Sequence, residues 1–160
     1  MSHINYALDY TVEVFIVHDH KVLLRKHDKH KIWLSVGGHI ETGEDPTQAA
    51  LREVKEEVGL DVLLYAPEQA PSFEEGGYQE LVQPTYMNRH RINDHHEHLT
   101  FVYFATTHSP KLTLSKTELS DGVKWFGLEE LSQPEYDVRS SIQFYAKKAL
   151  ESAKQSAKRF

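Results

Sequence analysis

From Leu8 to Val17 apolar and polar residues alternate, with Val12, Val14 and Ile16 on one face, the period of a half-buried strand. His18-Asp19-His20 interrupts the alternation as a polar turn, and Lys21 to Arg25 resumes it, so the chain opens with a hairpin. Ile32 to Val36 is a short apolar strand that runs directly into Gly37-Gly38. The period then changes. Asp45 is placed to cap a helix, Pro46 suits its first position, Gln48 completes a capping box and Gly59 suits a left-handed stop. Ala50, Leu51, Val54 and Val58 form the apolar stripe of this helix, and its acidic residues occupy a separate face.

A further strand is expected at Val62 to Tyr65. The stretch Pro67 to His98 is longer than the ~12–15 residues of a plain connection and reads as room for short strands, with some of it a substrate-facing loop. Leu99 to Thr107 is β-branched and aromatic on both faces, the composition of a central strand. Val123 to Phe126 follows as a short strand, then a helical turn at Leu128 to Leu131. A terminal helix runs from Val138 to about Ala157, with Ile142, Tyr145, Ala149 and Leu150 inward. No internal repeat or low-complexity tract divides the chain, so residues 1–160 are read as one domain.

Composition narrows the classes. With no cysteine, disulfides, thiolate metal sites and a thiol nucleophile are excluded. The N-terminal segment lacks a basic region followed by an apolar run, and no stretch approaches the ~18 apolar residues of a membrane span, so a cytoplasmic protein without membrane partners is expected. The formal net charge of −6 carries no footprint for nucleic acid. It also repels an anionic substrate unless a cation and local basic residues reverse the field.

The strongest chemical signal lies in the helix. Glu53 precedes Glu56 and Glu57 by three and four residues, spacings that set like charges side by side at a cost of roughly 0.2–0.5 kcal/mol per pair. A divalent cation accounts for such an arrangement, because Mg²⁺ takes hard oxygen ligands together with substrate phosphates. Gly38, Glu44, Arg52, Glu53, Val54, Glu56, Glu57, Gly59 and Leu60 meet the pattern G-x5-E-x7-R-E-aliphatic-x-E-E-x-G-aliphatic without departure. This segment resembles the Nudix box, and the chain is similar to Nudix hydrolases. The later run Trp125 to Leu131 resembles that family's usual end-of-domain pattern.

The resemblance implies an α/β/α sandwich with a mixed sheet. It also implies hydrolysis of a nucleoside diphosphate linked to another moiety, with Mg²⁺ or Mn²⁺. Carried onto this chain, Glu53, Glu56, Glu57 and the Gly38 carbonyl are the metal ligands, Arg52 orients the carboxylates and Glu44 braces the preceding loop. Glu56 or Glu53 is the candidate general base. A further acidic ligand is expected from a downstream loop, Glu118 ahead of Glu97. His95-His96-Glu97-His98 suggests zinc, but without a distant fourth ligand His96 and His98 are assigned to the substrate, as is Arg89 with its neighbours His90 and Arg91. Phe73, Tyr78 and Tyr86 are candidates to stack on a base.

Isopentenyl diphosphate isomerases share this fold but use a cysteine, which is absent here. The alternative is a non-catalytic Nudix-fold domain that binds nucleotides or regulates. The segment WLSVGG lacks the Phe-Pro-Gly-Gly often seen in the family, and nucleoside triphosphates, nucleotide sugars and ADP-ribose all stand as substrates. A homodimer is compatible with the family.

Overall fold

The computed structural model describes residues 8–27, 30–66, 71, 73, 75–114 and 120–157, with side chains at 120, 121, 156 and 157 excepted. β1 (Leu8–His18) and β2 (Lys21–His27) form the expected hairpin. Its two-residue turn, Asp19 and His20, has φ of 44° and 61°, both positive as a type I′ turn requires. The apolar segment that follows is divided between two partners. β3 (Trp33–Leu34) pairs with β2, whereas β4 (Val36–His39) crosses to β1 and carries both glycines inside the strand. The expected strand end at Val36 is therefore wrong by three residues. A Cβ on Gly37 would lie 2.0 Å from the Val12 carbonyl oxygen, so only glycine allows β4 this close to β1.

α1 (Pro46–Val58) has the expected ends: Asp45 and Gln48 exchange capping-box hydrogen bonds, and Gly59 takes φ 71° while its N–H bonds the Lys55 carbonyl. β5 (Leu63–Leu64) pairs with the end of β7 (His96–Thr106). The Pro67–His98 stretch does contain strand: β6 (Tyr86–Asn93) forms a hairpin with β7. β8 (Ser120–Phe126) pairs with β2, two 3₁₀ turns follow at Glu130–Ser132 and Pro134–Tyr136, and α2 (Ser140–Ala157) closes the fold.

The strands form one mixed sheet, ordered β3-β2-β1-β7-β5, with β4 also on β1, β6 on β7 and β8 on β2. The β1–β7 pair is parallel and runs in unbroken register from Leu8↔Glu97 to Val17↔Thr106. Alternation along these strands builds a core on each face. Val12, Val14, Ile16, Leu23, Val36 and Tyr103 pack with Ala49, Ala50, Val54 and Val58 of α1. Phe15, Val17, Leu24, Val102 and Phe104 pack with Ile142, Ala146, Ala149 and Leu150 of α2. This is the α/β/α sandwich. Among the described residues no helix is long and apolar enough to cross a membrane.

Two expectations for α1 fail. Leu51 is 42% exposed, while Glu53 and Glu57 are buried, each at 7%. The acidic and core faces thus overlap, because the glycine strand leaves room for carboxylates beneath the helix.

Glu13 lies on the α2 face between Gly37 of β4 and Val102 of β7. Burial pushes its carboxyl up to about 7. A raised carboxyl favours the folded state while protonated and penalises it once ionised, so this penalty grows from about pH 4.5 to 7. Glu13→Gln should therefore be more stable than the wild type at pH 8, by on the order of 3 kcal/mol at most. The advantage should shrink through that window and vanish in acid; parallel urea titrations at several pH values measure it.

Candidate active site

The box residues meet where β4 passes under the C-terminal half of α1. Arg52 is their centre. Its Nε and one terminal nitrogen donate to the two oxygens of Glu44 at 2.8 and 2.9 Å, a bidentate pair. The other terminal nitrogen donates to Glu53 Oε1 at 2.8 Å and Glu56 Oε2 at 3.1 Å. A fifth bond reaches the His39 carbonyl at 2.9 Å and ties the helix to the end of β4. Glu44 in turn accepts from the Glu41 N–H at 3.0 Å, closing the loop before the helix. Arg52 holds the Glu44 carboxyl below the usual carboxylate range, and Glu44 raises Arg52 further above an already high value.

Glu53 lies directly against the glycine strand. A Cβ on Gly38 would fall 2.4 Å from Glu53 Oε1, so this carboxylate occupies the space that any other residue would fill. Glu57 accepts from the Gly37 N–H at 3.1 Å and is ion-paired with Arg25 of β2. Glu56 differs in having a side chain that is 58% exposed. Among these side chains four carboxylates face two guanidinium groups, a formal excess of two negative charges. Arg25 was not among the sequence candidates. Its only signal is a basic residue on a strand position that shares the α1 face with Leu23.

The other candidates separate. Glu97 is not with the box: it pairs with Arg89 across β6–β7, its Oε2 3.0 Å from Arg89 Nε, and that pair lowers its pKa. Arg89 is engaged by the same pair, and alternation puts both on the sheet face opposite His96 and His98. Glu118 lies outside the described residues. Tyr86 packs against Phe104, Phe144 and Tyr145, and its ring serves that core edge. Phe73 and Tyr78 pack edge-on to each other, 5.3 Å between centroids.

His96 and His98 do not stand alone. His98 Nε2 is 3.1 Å from His96 Nε2, and the His39 and His90 rings lie 5.1 and 5.4 Å from the His98 ring. His39 and His96 also each bring Nε2 to Asp9 Oδ2, at 3.3 and 3.4 Å. Burial and the neighbouring His39, His90 and His96 rings push His98 down to about 4, so it is neutral at pH 7. Asp9 and His39 were missed by sequence reasoning, since neither is near the histidine cluster along the chain.

The NUDIX domain family matches residues 8–148, from the first residue of β1 into α2. The chain belongs to the NUDIX family. A NUDIX-family hydrolase from Clostridium perfringens superposes with a TM-score of 0.79 at 36% identity, over 92% of this chain and 98% of that one. The Escherichia coli dihydroneopterin triphosphate pyrophosphohydrolase shares the fold, with a TM-score of 0.64 at 19% identity over 89% of this chain and 96% of its own. In sequence, the dihydroneopterin triphosphate diphosphatase of Escherichia coli K12 is 50% identical over 42 residues, 26% of this chain and 28% of that protein. The NAD-capped RNA hydrolase NudC of Vibrio atlanticus is 43% identical over 51 residues, 31% of this chain and 19% of its own. The chain thus matches less than a third of the length of either of these two relatives.

The Arg52 constellation yields a stability prediction. Arg52→Ala leaves Glu44, Glu53 and Glu56 without their shared cation and should cost about 2–4 kcal/mol at pH 7, read as a lowered midpoint in denaturant. Because Glu44 is depressed, its share is present above the ordinary carboxylate range and is lost as it protonates in the folded state. The difference between variant and wild type should therefore narrow below about pH 4.

Proposed function

We propose that this Nudix-type pyrophosphohydrolase cleaves the diphosphate linkage of a nucleoside diphosphate derivative: a nucleoside triphosphate, a nucleotide sugar or an ADP-ribose-type compound. A divalent cation, Mg²⁺ or Mn²⁺, would be held by Glu53, Glu56, Glu57 and the Gly38 carbonyl. The observation that carries this reading is the set of carboxylates gathered by Arg52 against a strand whose glycine leaves Glu53 its space. The donor set fits the ion, since all its members are hard oxygens, and the four carboxylates against Arg25 and Arg52 leave a formal excess of two negative charges that matches one divalent cation. The word diphosphatase in the name of the Escherichia coli relative supports the same reaction class.

A bound cation supplies charge neutralisation of the diphosphate and a water of lowered pKa. The remaining work falls to the chain. Arg52 fixes Glu53 and Glu56 relative to each other, and Glu44 fixes Arg52 through its bidentate bond. Arg25 and the Gly37 N–H hold Glu57 in place under the helix. Glu56, with the most exposed carboxylate, or Glu53 takes the proton from the attacking water at a carboxylate oxygen. The water oxygen then bonds to phosphorus, the bridging P–O bond breaks, and two phosphate-bearing products leave.

A panel of nucleoside triphosphates, nucleotide sugars, ADP-ribose, dihydroneopterin triphosphate and NAD-capped RNA, run with Mg²⁺ and resolved by chromatography, tests the proposal. Turnover of at least one compound is expected. Glu53→Gln and Glu57→Gln should lower kcat/KM by about 100-fold or more. Inactivity of the folded wild type on every diphosphate would support the nucleotide-binding reading instead, and wild-type rates in both variants would remove the glutamates from the chemistry.

A further inference from the structure

The histidine cluster is assembled from three neighbouring strands. β1 lies between β4 and β7, and its register sets Asp9 opposite His98 and Thr11 opposite His39. Alternation directs Asp9, His39, His96 and His98 to the same face of the sheet, the one that carries α2 further along. One ligand atom from each of the four lies within 4.8 Å of all the others.

The separations are informative. With bonds of 2.0–2.1 Å, a tetrahedral zinc ion has ligand atoms about 3.3–3.4 Å apart. Three of the six separations are 3.3 Å for His39 Nε2 to Asp9 Oδ2, 3.4 Å for His96 Nε2 to Asp9 Oδ2 and 3.1 Å for His98 Nε2 to His96 Nε2, and the ligand atoms of all four residues lie within 4.8 Å of one another. A direct hydrogen-bond network accounts for them less well, because His96 Nε2 approaches both Asp9 and His98 and carries at most one proton.

We propose that Asp9, His39, His96 and His98 form a second metal centre, of the Zn²⁺ class, distinct from the glutamate site. Three imidazole nitrogens and one carboxylate are the donors of a zinc-type ion, whereas Mg²⁺ takes oxygen. Asp9 is buried and His39 has a side chain 40% exposed, so the ligand set is anchored at one end and reachable from solvent at the other. The centre would staple β4 to β1 and β7. His39 directly follows Gly38, and its carbonyl accepts from Arg52, so the staple holds the strand on which the box is built.

Cobalt and zinc binding to the full chain tests this. After chelator treatment, the wild type should take up one equivalent of Co²⁺ with the intense visible absorption of a tetrahedral site, and Zn²⁺ but not excess Mg²⁺ should bleach it. Loss of a group that only orients a ligand costs 10–100-fold in affinity, so His39→Ala, His96→Ala, His98→Ala and Asp9→Asn should each weaken Zn²⁺ by about 100-fold or more. Circular dichroism of the metal-stripped variants checks that each is folded. Glu53→Gln and His108→Ala should keep wild-type affinity, and the first separates this centre from the glutamate site. Absence of the tetrahedral Co²⁺ spectrum in the folded wild type would overturn the proposal. So would Zn²⁺ affinity unchanged in the four ligand variants, or lost equally in His108→Ala.

Discussion

The rest of the molecule depends on how closely β4 approaches its neighbours. A Cβ at Gly37 would strike the Val12 carbonyl at 2.0 Å, and one at Gly38 would strike Glu53 at 2.4 Å. Two side-chain-free residues therefore let β4 pair beside the central β1 while lying directly under the acidic helix. Without them the helix would have to move off the sheet or Glu53 would have to leave its place. The same contact allows buried carboxylates, since the Gly37 N–H satisfies one oxygen of Glu57 while Arg25 satisfies the other.

Buried like charges are costly unless they are paired and hydrogen-bonded. The fold meets this with guanidinium groups from two directions. Arg52 comes from the helix itself and bonds Glu44, Glu53, Glu56 and the His39 carbonyl, so helix, preceding loop and strand become one rigid unit. Arg25 comes from β2 of the sheet beneath the helix. Their planar, always-charged heads suit a task that needs several bonds in fixed directions, which a lysine would not provide.

β1 has a comparable role on the opposite face. Its odd residues run from Phe15 and Val17 in the core under α2 to Thr11 and Asp9 beyond it. Where the helix covers the sheet the residues are apolar. Past it they turn polar: the Thr11 and Thr100 hydroxyls meet at 2.7 Å, and Asp9 meets the histidines. The two metal-capable groups thus lie on either side of β4, one beneath the Nudix helix and one beyond α2.

Features that depend on neighbours along the chain were legible in the sequence. The capping box, the left-handed Gly59, the hairpin at Asp19-His20 and the Nudix box are set by residues a few positions apart, where local geometry leaves few choices. The family and the sandwich followed from them. What the sequence left undetermined needed strand register. Leu51 was read as core because it has helical spacing, yet the sheet passes under the other side and buries Glu53 and Glu57 instead. β6 could not be located within its stretch because edge strands carry polar residues such as Asn88, Arg89 and His90, which lack an apolar alternation. Glu97 took Arg89 as a partner only because β6 folds back on β7. The convergence of Asp9 and His39 on His96 and His98 is the clearest case. Residues up to 89 positions apart meet because parallel pairing of β1 with β7 and antiparallel pairing with β4 align them, and no periodicity within a single segment encodes that alignment.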